Sequence, residues 1–224
     1  MSDQVVPVIT IDGPSGAGKG TIAQMLALDL KWHILDSGAL YRTLAYFMLE
    51  QNIELHQFEK NKELIKENFR VKFDPGTIGE PVRVIFNDND ITNKVRTEEI
   101  AKKTSDLATE PLIREFIKPC QRNFMSLPGL IADGRDMGTV IFDDAKLKVF
   151  LTASIQERAK RRQTQLKRQG SKVNMRLLLQ ELEERDRKDT ERKHSPLKPA
   201  EDSIIIDTSN LEPEGVIKEI KKFI

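Results

Sequence analysis

The residues of this chain with the clearest chemistry are Gly13, Pro14, Ser15, Gly16, Ala17, Gly18, Lys19, Gly20 and Thr21, which run consecutively. A polyphosphate is held by several N–H groups aimed at one point with no side chains between them. Glycines let a backbone curl into that shape, and a following helix adds its positive end. A lysine closing such a loop reaches the outer phosphates, and a nearby hydroxyl can ligate Mg²⁺. Lys19 and Thr21 stand in those places. The spacing is G-x-x-x-x-G-K, but Gly20 occupies the usual Ser/Thr position and the hydroxyl arrives one residue later. The loop speaks for a nucleoside triphosphate and is silent about its use.

Other polar residues also fall where chemistry is done. Gly129–Gly138 reads as a buried strand that ends in Asp133, followed by a turn carrying Arg135 and Asp136. An acid at the end of a strand beside a phosphate loop can orient the Mg²⁺ shell. A plain turn-forming Asp before Gly is the alternative for Asp133. Asp36-Ser37-Gly38-Ala39-Leu40-Tyr41-Arg42 opens a helix, with Ser37 expected as its N-cap. Tyr41 can simply pack on the sheet edge. Arg42 lies near a positive helix end, so a negative partner is expected. Arg185, Asp189 and Arg192 step by four and three and share a helix face. They fit either a surface ion pair of little energy or a clamp for a phosphate and a sugar hydroxyl or base amino group. Arg114 lies off the apolar stripe of its helix and by itself reads as a solvated arginine.

The elements that must carry these residues follow from hydrophobic pattern. Five short apolar runs, Val5–Ile11, Trp32–Leu35, Leu130–Ala132, Leu147–Leu151 and Ser203–Ile206, read as buried parallel strands alternating with helices. This predicts an α/β fold with helices on both faces of a five-stranded parallel sheet. Ligands then gather beyond the carboxyl ends of the strands. Between about 69 and 92 the rhythm changes to short alternating runs and turn signals, so a small antiparallel meander is expected as an insertion, followed by Ile91-Thr92. Helices are expected from Thr97 to about Thr109, including Thr104 and Ser105, and from Pro111 along the stripe Ile113, Phe116, Ile117, Cys120, Phe124 and Leu127. The basic runs Glu157–Arg162 and Lys167–Lys172, split by Gly170-Ser171, suit a cationic flap over a triphosphate. A nucleic-acid patch is the rival reading, weakened because no aromatics interleave the run.

Composition narrows the choice. The chain has 224 residues, with 36 Lys plus Arg against 35 Asp plus Glu, a formal balance of +1 that gives general nucleic-acid binding no support. A single cysteine, Cys120, precludes an intramolecular disulfide and is expected in the core. No run approaches the ~18 apolar residues of a membrane span, and Met1–Gln4 lacks the start of a signal peptide, so a cytoplasmic protein is expected.

Taken together, these stretches resemble a known family. The glycine loop is similar to that of nucleoside monophosphate kinases. Asp36–Arg42, Ile131–Thr139 and the Arg185…Asp189…Arg192 helix, with the inserted meander, resemble bacterial cytidylate kinases along essentially the whole chain. The resemblance implies a P-loop kinase core (1–62 and 97–224, with a lid at about 158–175) and an inserted monophosphate-binding part at about 63–96. It implies that ATP with Mg²⁺ phosphorylates CMP or dCMP. Lys19 and Thr21 would serve the Mg²⁺ triphosphate, with Arg158 and Arg161 in the lid and Asp133 near the metal. Ser105, Arg114 and Asp136 would read the cytosine edge. Ser37 and Tyr41 would line the monophosphate pocket, Arg42, Arg135, Arg185 and Arg192 would hold its phosphate, and Asp189 the ribose. No nucleic acid, membrane or subunit partner is expected. A shikimate or gluconate kinase would not need the long insertion. A GTPase would want N-K-x-D, where Asn93-Lys94-Val95-Arg96 ends in the wrong residue.

Overall fold

The computed structural model describes residues 5–168 and 173–224. The expected break at Gly170-Ser171 lies outside them. Five strands, β1 (Val8–Asp12), β2 (His33–Asp36), β6 (Leu130–Gly134), β7 (Leu147–Thr152) and β8 (Ile204–Asp207), form one parallel sheet in the order β2-β6-β1-β7-β8. Each strand ends one or two residues beyond its apolar run, and β1 begins three residues later than the run Val5–Ile11. Their last residues are the polar Asp12, Asp36, Gly134, Thr152 and Asp207, paired by backbone regardless of side chain.

β1 is central and buried throughout, and its side chains alternate in direction. Ile9 and Ile11 pack with Ile22 and Leu26 of α1 (Lys19–Leu30) and with Val216 and Ile220 of α8 (Pro213–Lys221). Val8 faces the other side, with Leu40 and Leu44 of α2 (Ser37–Glu50) and Ile113 and Ile117 of α5 (Pro111–Arg122). The helix α5 ends at Arg122, so Phe124 and Leu127 of the anticipated stripe lie beyond it, and Leu127 is exposed. Cys120 is half-buried, and burial pushes its thiol up, as befits a packing residue.

Between α3 (Phe58–Asn68) and α4 (Glu98–Leu107) lies a separate antiparallel sheet in the order β3-β4-β5, with β3 at Val71–Asp74, β4 at Arg83–Phe86 and β5 at Asn89–Asp90. The third strand falls earlier than Ile91-Thr92, because the tight turn is made by Asn87 and Asp88, both at positive φ. Val84 and Phe86 join the α2/α5 core, whereas Val82 packs with α1. Buried Gln24 of α1 reinforces that second contact. Its amide nitrogen donates to the carbonyls of Pro75, Thr77 (3.1 Å) and Glu80 (3.0 Å) in the β3–β4 loop. The small sheet is thereby fastened to the helix that follows the glycine loop. α6 (Ile155–Arg168) and α7 (Met175–Glu191) pack together through Ala159, Leu178 and Leu182.

Gln24→Ala should cost about 1 kcal/mol of stability in denaturant titration and speed proteolytic cleavage within residues 75–80. Unchanged cleavage would mean that the loop is held by Val82 and its neighbours alone.

Candidate active site

The glycine loop joins β1 to α1 at the carboxyl end of the sheet. Gly13 has φ 146°, and a Cβ there would lie 2.0 Å from the Leu151 carbonyl oxygen, so the chain can pass β7 only as glycine. Lys19 is buried. Its Nζ donates to the Pro14 carbonyl at 3.1 Å and lies 3.9 Å from Asp133 Oδ1. Burial and the nearby Arg135 push Lys19 below the ordinary lysine range, while burial pushes Asp133 up. Removal from water disfavours both charges, and each partly offsets the loss of the other.

Gly20 leaves a gap beside this pair, since a Cβ would stand 3.6 Å from Asp133 Oδ2. Thr21 is exposed on the first turn of α1. A hydroxyl and a carboxylate are oxygen donors suited to Mg²⁺. Among the described residues no three His, Cys, Asp or Glu side chains form a metal-binding group.

The arginines of α6 brace the same loop. Arg158 is buried, and all its bonds go to protein: Nε to the Ala153 carbonyl at 3.1 Å, Nη1 to the Ser15 carbonyl at 3.1 Å and Nη2 to Asp186 at 2.6 Å. Arg161 donates to the hydroxyl and carbonyl of Thr208, whose hydroxyl in turn donates to the Ala17 carbonyl at 3.1 Å.

A second constellation is built from β6, α2, α5 and α7. Arg135 Nε donates to Asp189 Oδ2 at 2.8 Å. Burial works against the Asp189 charge, but Arg135, Arg185 and Arg192 outweigh it and hold the carboxyl below its usual range. Arg114 pairs with Asp136 and also donates to the Ala108 carbonyl at 3.3 Å, one turn beyond half-buried Ser105 of α4. Arg192, just past α7, lies 3.9 Å from Asp136 on the opposite oxygen. Tyr41 is buried among Arg114, Asp136 and Arg192, and burial pushes its phenol up to about 12.

Charge is not fully balanced here. Arg185 has no carboxylate within ion-pair distance among the described residues, and Arg192 Nη2 is buried without a hydrogen-bond partner, its nearest acid being Asp136 at 3.9 Å. Arg185 is open to solvent on one side, yet partial desolvation, Arg135, Arg42 and Arg162 push it below the usual arginine range, with Asp189 partly compensating. Arg42 donates to the Val95 carbonyl at 3.1 Å and is pushed down by burial, Arg96 and Arg162, with Asp36 partly compensating. Cations crowded in this way are costly unless an anion joins them. Lys19 feels both Arg135 and Arg185, so the two constellations meet at the end of β1.

The structure corrects the expected N-cap of α2. Asp36 caps it, accepting from the Ala39 amide at 2.8 Å, and Ser37 is the first helical residue, buried, its hydroxyl accepting from Gln121 at 2.8 Å. Asp is as good a cap as Ser, and its longer reach suits the extended residue at the strand end. Gln121, Arg96 and Arg162 also belong to this neighbourhood but carry no motif. Asp12 was legible only as the polar end of an apolar run. Its two oxygens accept from the Met137 and Gly138 amides at 2.8 Å each, and burial pushes it up to about 6.

The family model described as cytidylate kinase matches residues 9–224. The chain is 48% identical over 218 residues to a cytidylate kinase of Shewanella frigidimarina, covering 97% of this chain and 95% of that one. It is 49% identical over 224 residues to a cytidylate kinase of Shewanella baltica, covering 100% and 96%. Among solved structures, a gluconokinase from Sinorhizobium meliloti 1021 matches with a TM-score of 0.45 at 14% identity, covering 97% of this chain and 90% of that one. With a glycine loop facing an arginine-rich pocket and a family match across nearly its whole length, the chain belongs to the cytidylate kinase family.

Proposed function

We propose that this chain transfers the γ-phosphoryl group of ATP to CMP or dCMP, giving CDP or dCDP. The observation that carries the reading is the Arg114–Asp136 pair, set in an arginine-rich pocket across from the glycine loop. Cytosine presents an amino donor beside two acceptors. Asp136 can take the amino group, while Arg114 and the Ser105 hydroxyl can serve the acceptors. Uracil would set a carbonyl against the Asp136 carboxylate, two acceptors opposed. Mismatches of this sort discriminate steeply because buried polar groups are left unpaired.

Phosphoryl transfer asks a protein for in-line placement and charge neutralisation more than for covalent chemistry. Arg42, Arg135, Arg185 and Arg192 converge where the acceptor's phosphate would sit, with Ser37 and Tyr41 lining the pocket and Asp189 reaching the ribose. Lys19 would follow the phosphoryl group between the two sites, since its burial near Arg135 and Arg185 puts it at their junction. Arg158 holds the glycine loop in shape through Ser15, and Arg161 supports it through Thr208. Thr21 would hold Mg²⁺ directly, with Asp133 beside it. Bound with the triphosphate, Mg²⁺ would neutralise developing charge on the outer phosphates. No general base is required, because the acceptor is already an anion.

In this reading the small antiparallel sheet (about 63–96) is the monophosphate-binding part, the remainder (1–62 and 97–224) is the core, and about 158–175 is the lid. The enzyme works as a cytoplasmic monomer on small molecules. No helix among the described residues is long and apolar enough to cross a membrane.

The test is ADP release from ATP·Mg²⁺ with a panel of acceptors. Turnover is expected with CMP and dCMP. Turnover with gluconate or shikimate in their place would overturn the reading. Lys19→Met should lower kcat by orders of magnitude with the thermal transition retained, and near-normal kcat would remove Lys19 from the chemistry. Asp136→Asn should cut kcat/KM for CMP far more than for UMP. Equal losses on both would take Asp136 out of base recognition.

A further inference from the structure

Asp12 lies between the two sites and touches neither. It ends β1, in register with Gly134 of β6, and its side chain follows the alternation of the strand to the face shared by Val8 and Thr10. That face is covered by residues 137–141, which form one wide π-type turn directly after Asp136. Inside the turn the Val140 and Ile141 amides bond back to the Asp136 carbonyl, and the Phe142 amide to that of Met137. The leading amides of any helical turn have no carbonyl within it to bond. Here those of Met137 and Gly138 are taken by the two oxygens of Asp12 at 2.8 Å each, across 125 and 126 residues of sequence. The turn is capped from a neighbouring strand.

The same contacts press the turn onto the sheet. A Cβ on Gly138 would lie 2.7 Å from Thr10 Oγ1, and one on Gly134 would lie 2.7 Å from Met137 Cγ. Asp136 sits between these two points with φ −147° and ψ 26°, outside the helical region. Its backbone is therefore set on one side by the β6 strand end and on the other by the amide that Asp12 holds. From that position its carboxylate meets Arg114 and faces Arg192.

Burying a carboxylate at 4% exposure is costly unless its hydrogen bonds need the charge. Two converging N–H donors at the start of a turn supply that need. An amide in its place could accept with one oxygen only and would turn an NH₂ group toward the second N–H. We infer that Asp12 is a positioning residue for nucleobase selection: by capping the 137–141 turn, it sets the orientation from which Asp136 reads the base. The inference rests on the proposed reading of Asp136 as the acid that faces the cytosine amino group. Asp12 directly precedes Gly13, so one side chain ties the start of the triphosphate loop to the base-reading acid of the other site.

The experiment compares Asp12→Asn and Asp12→Glu with the unmodified enzyme, first by thermal melting and then by kcat and KM for CMP and for UMP at saturating ATP, and KM for ATP at saturating CMP. Asp12→Asn should lower kcat/KM for CMP by roughly ten- to hundredfold, the scale of a misplaced contact group. The UMP value should fall less, so the CMP-over-UMP ratio shrinks while KM for ATP stays within about twofold. Asp12→Glu keeps both oxygens and should retain more of the ratio. In the Asp12→Asn, Asp136→Asn double variant, the first change should reduce the ratio little beyond the second alone, since both act through one group. Equal losses for CMP and UMP would overturn the inference, as would a rise in KM for ATP alone, and so would failure of both variants to fold, which would make Asp12 a residue of stability. If the unmodified enzyme does not prefer CMP to UMP, the reading of Asp136 itself fails, an outcome distinct from a preference that survives Asp12→Asn.

Discussion

Positive charge gathered at the strand ends, part of it out of water, is the constraint around which this molecule is arranged. Arg192 is the sharpest instance, its Nη2 buried without a hydrogen-bond partner and 3.9 Å from the nearest Asp136 oxygen. A group so placed lowers stability unless an anion completes it. The fold tolerates the arrangement because it compensates some of the charge internally. Asp189 engages Arg135, Asp136 engages Arg114, and Asp36 tempers Arg42. The remaining positive charge is confined to one pocket while the chain as a whole is near neutrality.

The parallel sheet makes that concentration possible. Its strands end on one rim, and β1, flanked by β6 and β7, delivers the glycine loop beside Asp133 and Arg135 of the adjacent strand. The glycine loop and the arginine cluster are thus built on neighbouring strand ends. Lys19 and Asp133 mark the seam between them, each driven toward its neutral form by burial and each returned toward charge by the other. The small antiparallel sheet approaches the seam along another route, fastened to α1 by Gln24 and to the α2 side by Val84 and Phe86.

Several side chains that look catalytic in isolation do structural work, and the reverse also holds. Arg158 reads as a lid cation, yet its donors are taken by Ala153, Ser15 and Asp186, so it braces the shape of the loop. Asp12 reads as the tail of an apolar strand, yet it caps a turn whose first flanking residue is Asp136.

The sequence by itself determined the glycine loop, the five parallel strands, the inserted meander and the helix carrying Arg185 and Asp189. Each of these is written in local spacing: glycines at fixed offsets, apolar runs, alternation by two, and steps of three and four. Its errors were local as well. It named Ser37 rather than Asp36 as a cap and ran α5 past Arg122, because propensity ranks Ser and Asp nearly alike and an apolar stripe does not announce where a helix stops. Which charges meet was decided only by tertiary structure. Arg135 finds Asp189 across 54 residues, Arg114 finds Asp136 across 22, and Asp12 finds its amides across 125 and 126. Sequence left the Arg185, Asp189 and Arg192 face open between surface ion pair and clamp. In the fold Asp189 pairs with Arg135 and Arg192 faces Asp136, both partly shielded from water, while Arg185 stays exposed, because neighbours brought in from the end of β6 choose the partners, which spacing along α7 cannot do.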